Sequence, residues 1–150
     1  MRDGYIMTSL DDIVDTFELL GDWEQRYQFL MELGEQLPSM PEALKTDDNK
    51  VKGCMSQVWV AAYPDPSDDD LIRFHGDCDT SMIKGVLALL IQLVSGKTFA
   101  EIDALDLDEI FRRLRLYEHL SPNRHVGVYA IVEVMKQQAR KIHSSNRQVV

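Results

Sequence analysis

A chain of 150 residues with 25 acidic and 16 basic side chains carries a formal charge of −9. Such a surface repels phosphate backbones and anionic lipids, which argues against a nucleic acid or a membrane as partner. Two cysteines, Cys54 and Cys78, are too few for a secreted disulfide framework and lack the paired spacing of a zinc site. The sequence shows no signal-peptide pattern and no apolar run that would span a membrane, so we expect a cytoplasmic protein.

Capping residues predict two helices in the first part of the chain. Ser9 stands three residues before Asp12 and is followed by apolar residues at helical spacing, until Gly21 ends the segment. Asp22 begins a second helical segment, which continues until Pro38 interrupts it. A polar loop follows.

Two β-type segments in the middle of the chain predict an antiparallel hairpin. Residues 58–63 and 71–75 are rich in β-branched and aromatic side chains, and a connector rich in Pro, Asp and Ser joins them over residues 64–70. Residues 49–51 offer a third strand. We therefore expect a small antiparallel sheet of about three strands.

The second part of the chain is predicted to be helical. Asp79 or Thr80 caps a segment that reaches Ser95 and is apolar on almost every side, which is typical of a central, buried helix. Further helices are predicted to begin at Thr98, near Asp108 and at Ser121-Pro122, the last of them ending near Ile142.

No repeat, low-complexity tract or linker divides the sequence. We therefore expect one α+β domain over residues 1–150, with frayed termini at 1–8 and 143–150. Because the residues before Met7 lack any pattern, either Met1 or Met7 is the natural start.

Cys54 is the strongest candidate for chemistry. It lies between a polar loop and the first strand, where rigid elements can display a reactive group, and Gly53 allows a tight turn directly before it. Lys50 and Lys52 are close in sequence, and positive charge favours the thiolate, which is the nucleophilic form. The residues alone leave a second interpretation open, in which Cys54 is a small apolar side chain buried at the entrance of a strand.

The surroundings of Cys54 resemble a known family, the SufE/CsdE sulfur-acceptor proteins. Residues 49–59, NKVKGCMSQVW, resemble the family's motif N-[KR]-V-x-G-C-x-S-Q-V-W, which carries the sulfur-accepting cysteine. The resemblance runs over residues 17–140, with departures at Met55 and Cys78, where members often have Gln and Ser. Further blocks agree in order and spacing: residues 23–27, residues 75–79 with Lys84-Gly85 (G-D-S-D…K-G), and residues 119–124 with Gly127 (H-L-[ST]-P-x-R-x-x-G).

The resemblance implies a fold and a reaction. The fold is a small antiparallel sheet packed with helices, similar to the IscU-type scaffold. In the reaction, a pyridoxal-phosphate (PLP) cysteine desulfurase of the SufS/CsdA type makes a persulfide on its own cysteine, and the thiolate of Cys54 takes over the terminal sulfur. The acceptor stimulates the desulfurase, passes sulfur to an iron–sulfur scaffold, and has no cofactor or metal of its own. It is a transfer accessory, monomeric or homodimeric, rather than a stand-alone enzyme.

Several residues are expected to support Cys54. Asp79 is expected to shape the cysteine loop or contact the partner, and helix capping explains it equally well. Arg124 lies in the first turn of a helix, where a cation is poorly placed, so we expect it to hold a loop carboxylate or to bind the desulfurase. Three neighbours are expected to shape the loop: Gly53, Ser56 and Gln57.

Two other functions stay open at the level of sequence. Cys54, His75, Cys78 and Asp79 would form the ligand set of an IscU-like iron–sulfur or zinc scaffold, although U-type scaffolds use three cysteines and this chain has two. Alternatively, Cys54 and Cys78 would form a redox disulfide. Cys78 precedes the buried helix directly, and it is either a resolving cysteine or a small packed residue.

Overall fold

A computed structural model describes residues 9–148. This part of the chain contains α1 (Leu10–Leu20), α2 (Trp23–Gln36), β1 (Val58–Asp65), β2 (Asp68–Cys78), α3 (Ser81–Val94), α4 (Phe99–Asp103), α5 (Leu107–Leu114) and α6 (Pro122–Gln148). Short 3₁₀ turns lie at Glu42–Leu44 and Leu116–Glu118. The two strands form an antiparallel sheet against which helices pack, which confirms the predicted α+β class.

The predicted caps of α1, α2 and α4 are confirmed, whereas no side chain caps α3 at Thr80. The hydroxyl of Ser9 accepts a hydrogen bond from the Asp12 amide, and the Asp12 carboxylate accepts one from the Ser9 amide. Asp22 caps α2, and Thr98 caps α4 with the same reciprocal pattern. These bonds satisfy amides that a helix leaves unpaired in its first turn. Gly21, at φ 80°, ends α1.

Helix α3 lies at the centre, as predicted from its apolar pattern, and nine of its 14 residues are buried. One of its faces covers the sheet at Gly76, where a Cβ would come within 3.0 Å of the Leu87 side chain. The opposite face meets α2, where Gly34 and Gly85 let the two backbones touch. A Cβ on Gly85 would overlap the carbonyl oxygen of Leu30. The sheet and α2 therefore enclose α3 from two sides.

The hairpin is longer than predicted, because most residues of the polar connector belong to the two strands. The strands pair as far as Asp65 and Asp68, so only Pro66 and Ser67 form the turn. The Asp65 carboxylate accepts hydrogen bonds from the Ser67 amide at 2.8 Å, from the Ser67 hydroxyl at 2.7 Å and from Arg73 Nε at 2.5 Å. These bonds, the Ser67 hydroxyl first, lower the pKa of Asp65 to about 2. The buried Asp65 carboxylate thus holds the two strands together where the turn interrupts their backbone hydrogen bonds.

The predicted third strand is reduced to a single bridge. Lys50 pairs with Trp59 of β1, and the Val51 amide donates to the Val58 carbonyl at 2.8 Å. The described sheet has two strands, so the expectation of about three is wrong by one. The bridge still matters, because it closes the loop 52–57 that carries the candidate cysteine.

Helix α6 continues past the predicted end near Ile142 and reaches Gln148. Residues 143–148, which the sequence predicts to be frayed, are therefore helical, and the His143 ring stacks on Phe99 with 4.9 Å between the ring centroids. The predicted frayed segment 1–8 and the alternative start residues fall outside the described residues. Between residues 9 and 148 no helix combines the length and the apolar character that crossing a membrane requires.

The contact between α2 and α3 predicts a large effect of one methyl group. Gly85→Ala should lower the free energy of unfolding by about 1–3 kcal/mol, since the added carbon overlaps the Leu30 backbone and outweighs the gain in helix propensity. Chemical denaturation measures this. Ser81→Ala, at an exposed position of the same helix, is the control and should stay within about 0.5 kcal/mol of the parent. Equal stability of all three proteins would contradict the close contact.

Candidate functional site

The loop 52–57 presents Cys54 between the hairpin and α6. Gly53 has a φ of 89°, a left-handed conformation that favours glycine, and it makes the predicted tight turn directly before the cysteine. A Cβ on Gly53 would lie 3.6 Å from the Ala130 side chain of α6. The loop therefore lies close against this helix.

Hydrogen bonds fix the other end of the loop to the start of α3. The Gln57 amide donates to Asp79 Oδ1 at 3.0 Å, and the Asp79 amide donates to the Gln57 carbonyl at 3.1 Å. The hydroxyls of Ser56 and Thr80 are 2.7 Å apart. Asp79 therefore shapes the loop, whereas Thr80 occupies the N-cap position of α3 without a side-chain cap bond. Gln57 takes part through its backbone, and Ser56 through its side chain.

The Cys54 thiol packs directly on the backbone of α6. A Cβ on Gly127 would lie 2.7 Å from Cys54 Sγ, closer than real Cβ contacts come, so only glycine leaves room for the sulfur. Cys54 is partly exposed and lines a cleft of about 280 Å³ together with Ser56, Thr80, Ser121, Asn123 and Arg124. The thiol is thus held in place on one side and faces a surface cleft on the other.

Arg124 lines this cleft with an exposed side chain. Its amide donates to Ser121 Oγ at 3.4 Å, in the first turn of α6. Within residues 9–148, no carboxylate lies at ion-pair distance from its guanidinium. The expectation that Arg124 holds a loop carboxylate is therefore wrong for this chain on its own, and the expectation of a role toward a partner stays a prediction.

The two lysines before Cys54 do not place their positive charge in its cleft, contrary to the prediction. Lys52 Nζ pairs with Asp47 Oδ1 at 2.9 Å, and both Lys50 and Lys52 line a separate groove of about 500 Å³ between the polar loop and α6. Neither lysine lines the Cys54 cleft. Proximity in sequence misleads here because the turn at Gly53 sends the thiol and the lysine side chains to different sides of the loop.

Cys78 is buried at the end of β2, with the Thr80 amide 3.4 Å from its sulfur. Burial raises the pKa of this thiol to about 11, so it stays protonated at neutral pH. Both cysteines are free thiols. A protonated, enclosed thiol is a poor nucleophile, and these properties fit the small packed residue better than the resolving cysteine.

The proposed scaffold ligands do not come together. Residues alternate across β2, so His75 and Cys78 point to opposite faces of the sheet. The His75 ring stacks on Tyr63 with 4.5 Å between centroids. Among the described residues, no group of three His, Cys, Asp or Glu side chains is placed to hold a metal ion. The scaffold interpretation therefore lacks the geometry that it needs.

Gly127 and Thr80 are two neighbours of Cys54 that the sequence did not assign to the site. Glycine in the interior of a helix costs about 1 kcal/mol relative to alanine, so Gly127, five residues after Pro122, was a signal of close packing. Thr80 gave no comparable signal, because a threonine at a helix start is explained by capping alone.

Comparisons with known proteins agree on one family. The family model described as SufE, Fe-S metabolism associated domain, matches residues 11–139. An uncharacterized SufE-like protein of Rhizobium meliloti is 41% identical over 134 residues, which cover 89% of this chain and 96% of that protein. Another from Rhizobium etli is 41% identical over 136 residues, covering 89% and 91%.

A solved structure supports the fold. The solution structure of a hypothetical protein from Thermus thermophilus matches with a TM-score of 0.74 over 90% of this chain and 96% of that one. Its sequence identity is 21%, so the likeness concerns the fold alone.

The two thiols should differ sharply in reactivity. When the native protein is treated with iodoacetamide at about pH 8, Cys54 should be modified first, because it faces a cleft while Cys78 is buried and protonated. Mass spectrometry of the peptides measures both sites, and unfolding in denaturant should equalise them. Modification of Cys78 at the rate of Cys54 in the native protein would contradict the burial.

The contact of Cys54 with Gly127 predicts a dependence between two substitutions. Gly127→Ala should lower the free energy of unfolding by about 1–3 kcal/mol when Cys54 is present, because the new carbon meets its sulfur. In a Cys54→Ala background the same change should be neutral or stabilising, since alanine favours the helix. A double-mutant cycle by denaturation measures the coupling. The same loss in both backgrounds would show that the sulfur is not the obstacle.

Proposed function

Because the chain belongs to the SufE family, whose domain is associated with Fe–S metabolism, we propose that Cys54 accepts sulfur from the persulfide of a cysteine desulfurase. The observation that carries this proposal is the position of the thiol. Cys54 is seated on the backbone of α6 at Gly127 and lines a surface cleft, whereas Cys78 is buried. Of the two sulfurs, only that of Cys54 can meet a sulfur atom of another protein without unfolding.

The proposed reaction is a relative of thiol–disulfide exchange. The partner's cysteine carries a persulfide, Cys–S–SH, and the Cys54 thiolate attacks its terminal sulfur. A new S–S bond forms on Cys54 while the partner's S–S bond breaks, and the partner's cysteine leaves as a thiolate. Electrons balance within the exchange, so no oxidant is needed. A later thiol acceptor, an iron–sulfur scaffold or its carrier, takes the sulfur from Cys54 in the same way.

The loop supports this role by fixing the sulfur before a partner arrives. Attack requires the three sulfur atoms to align, and a loop held by Ser56, Gln57 and Asp79 loses little conformational entropy when a partner docks. Gly53 supplies the left-handed backbone conformation that this position needs, and Gly127 supplies the space. Packing thus fixes where the sulfur lies in the free protein.

Two exposed side chains beside the thiol favour a protein partner. Met55 is 83% exposed, and a flexible apolar side chain at this position suits a surface that another protein covers. Arg124, exposed at the same cleft without a carboxylate among the described residues, is proposed to bind the desulfurase. Covering the cleft in this way keeps the transferred sulfur out of water.

The partner supplies the cofactor chemistry in this proposal. Pyridoxal phosphate on the desulfurase, of the SufS/CsdA type, releases sulfur from free cysteine, and the chain described here adds a thiol without a cofactor or metal of its own. Removing sulfur frees the desulfurase for the next turnover, so the acceptor stimulates that enzyme. A reducing cytoplasm fits this chemistry, since both cysteines are free thiols.

Sulfur loading tests the proposal directly. After incubation with a SufS-type desulfurase and free cysteine, the peptide containing Cys54 should gain the mass of one sulfur atom. Cys54→Ser should show no gain and should not stimulate the desulfurase, while Cys78→Ser, the matched control, should keep most of both activities. Full stimulation by Cys54→Ser, or sulfur found on Cys78 instead, would overturn the assignment.

A further inference from the structure

A second cleft, of about 350 Å³, lies between the end of α1, the start of α2 and the end of α5. Three arginines line it, Arg26, Arg113 and Arg115, together with the aromatic residues Phe17 and Trp23. We call it the arginine cleft. It shares no lining residue with the Cys54 cleft. The chain as a whole has a formal charge of −9, whereas three cationic side chains from different elements make this cleft locally positive.

Arg26 is held in place by its surroundings. Its Nε donates to the Phe17 carbonyl at 2.7 Å, and its guanidinium carbon lies 5.2 Å from the centroid of the Trp23 ring and 5.7 Å from that of Phe17. The terminal nitrogens have no acceptor among the described residues. A guanidinium positioned by stacking and by one backbone bond keeps donors available for a ligand at little entropic cost.

Arg113 is partly used by the protein itself. Its terminal nitrogen pairs with Asp11 at 2.7 Å, but the Asp11 side chain is 78% exposed, which weakens the pair through solvent. Glu18 also lines the cleft, with an exposed side chain. Three guanidinium groups against these two carboxylates leave the cleft cationic, and both carboxylates are exposed to solvent.

Arg115 supplies an independent observation. It caps α5 in the left-handed conformation, at φ 58° and ψ 31°, and is the one non-glycine residue with positive φ among the described residues. Glycine or asparagine is preferred at this position because a side chain there costs stability. The helix dipole favours a cation at this end of α5, but not the left-handed backbone, and the side chain lies at the edge of a cationic cleft, where it can contact a ligand.

We propose that the arginine cleft binds a small phosphorylated ligand, a phosphate monoester or a diphosphate. Guanidinium groups match phosphate oxygens with paired hydrogen bonds. More than one arginine suits a ligand with more than one negative charge, which a monocarboxylate lacks. The cleft volume lies within the range of small-molecule sites, and the half-buried ring of Trp23 offers some apolar surface to an organic group. This inference does not depend on the sulfur-acceptor role of Cys54.

Isothermal titration calorimetry of the whole chain with inorganic pyrophosphate at low ionic strength tests the proposal. The parent protein should bind, and Arg115→Gly should bind at least about tenfold more weakly, because it loses a charge-assisted contact. The same substitution should raise the thermal midpoint by about 1–4 °C, since glycine relieves the left-handed backbone. Weaker binding by a more stable protein cannot be a consequence of unfolding.

Two further measurements distinguish a specific binding site from a general attraction of anions to positive charge. Arg112→Gln removes the same charge from an exposed position on α5 that does not line the cleft, and it should change the affinity by less than about twofold. Citrate replaces phosphate oxygens by carboxylates and should bind more weakly than pyrophosphate. Absence of binding, equal losses in Arg112→Gln and Arg115→Gly, or citrate binding as tight as pyrophosphate would overturn the proposal.

Discussion

The fold depends on covering α3, which is apolar on almost every side. Burying nine of its 14 residues requires neighbours in several directions, and glycines bring two of them to contact distance: Gly76 on the sheet side, and Gly85 on the side of α2. Burial of this kind contributes about 25 cal/mol per Å² of apolar surface, so this one helix makes a large contribution to the hydrophobic stabilisation. Once α3 is enclosed, its first turn is fixed relative to the hairpin and α6, and the cysteine loop is attached at that point.

The candidate site is therefore built mainly from backbone contacts. Asp79 exchanges hydrogen bonds with the backbone of Gln57, and the sulfur of Cys54 rests on a helix where a side chain is missing. The charged group among these residues, the Asp79 carboxylate, accepts its hydrogen bond from the loop backbone. A site of this kind positions a sulfur atom and leaves its activation to whatever enters the cleft, which suits the proposed acceptor role.

Local signals predicted the helices well because capping depends on neighbours in sequence. Ser9 and Asp22 could be assigned without knowledge of the rest of the chain. The failures have two causes: short-range side-chain bonds that the hydrophobic pattern does not show, and contacts between residues distant in sequence. The polar connector extends the hairpin because Asp65 accepts bonds from the turn, and Lys52 pairs with Asp47 rather than facing the thiol. The contact of Cys54 with Gly127 brings together residues that are 73 positions apart in sequence, and no local pattern encodes it. Only the family resemblance pointed to both residues.

A stacked pair of rings explains why residues 23–27, which are far from the cysteine in sequence, belong to the same family pattern. Trp23 stacks on His119 with 3.6 Å between centroids, and the hydroxyl of Tyr27 donates to the His119 carbonyl at 2.6 Å. Ser121, two residues later, lines the Cys54 cleft, while Trp23 lines the arginine cleft. The start of α2 thus fixes the segment from which α6 begins, and α6 in turn supplies the wall behind the sulfur. The two clefts share no lining residue, but the stacking of Trp23 on His119 connects the wall of one to the segment that leads into the other.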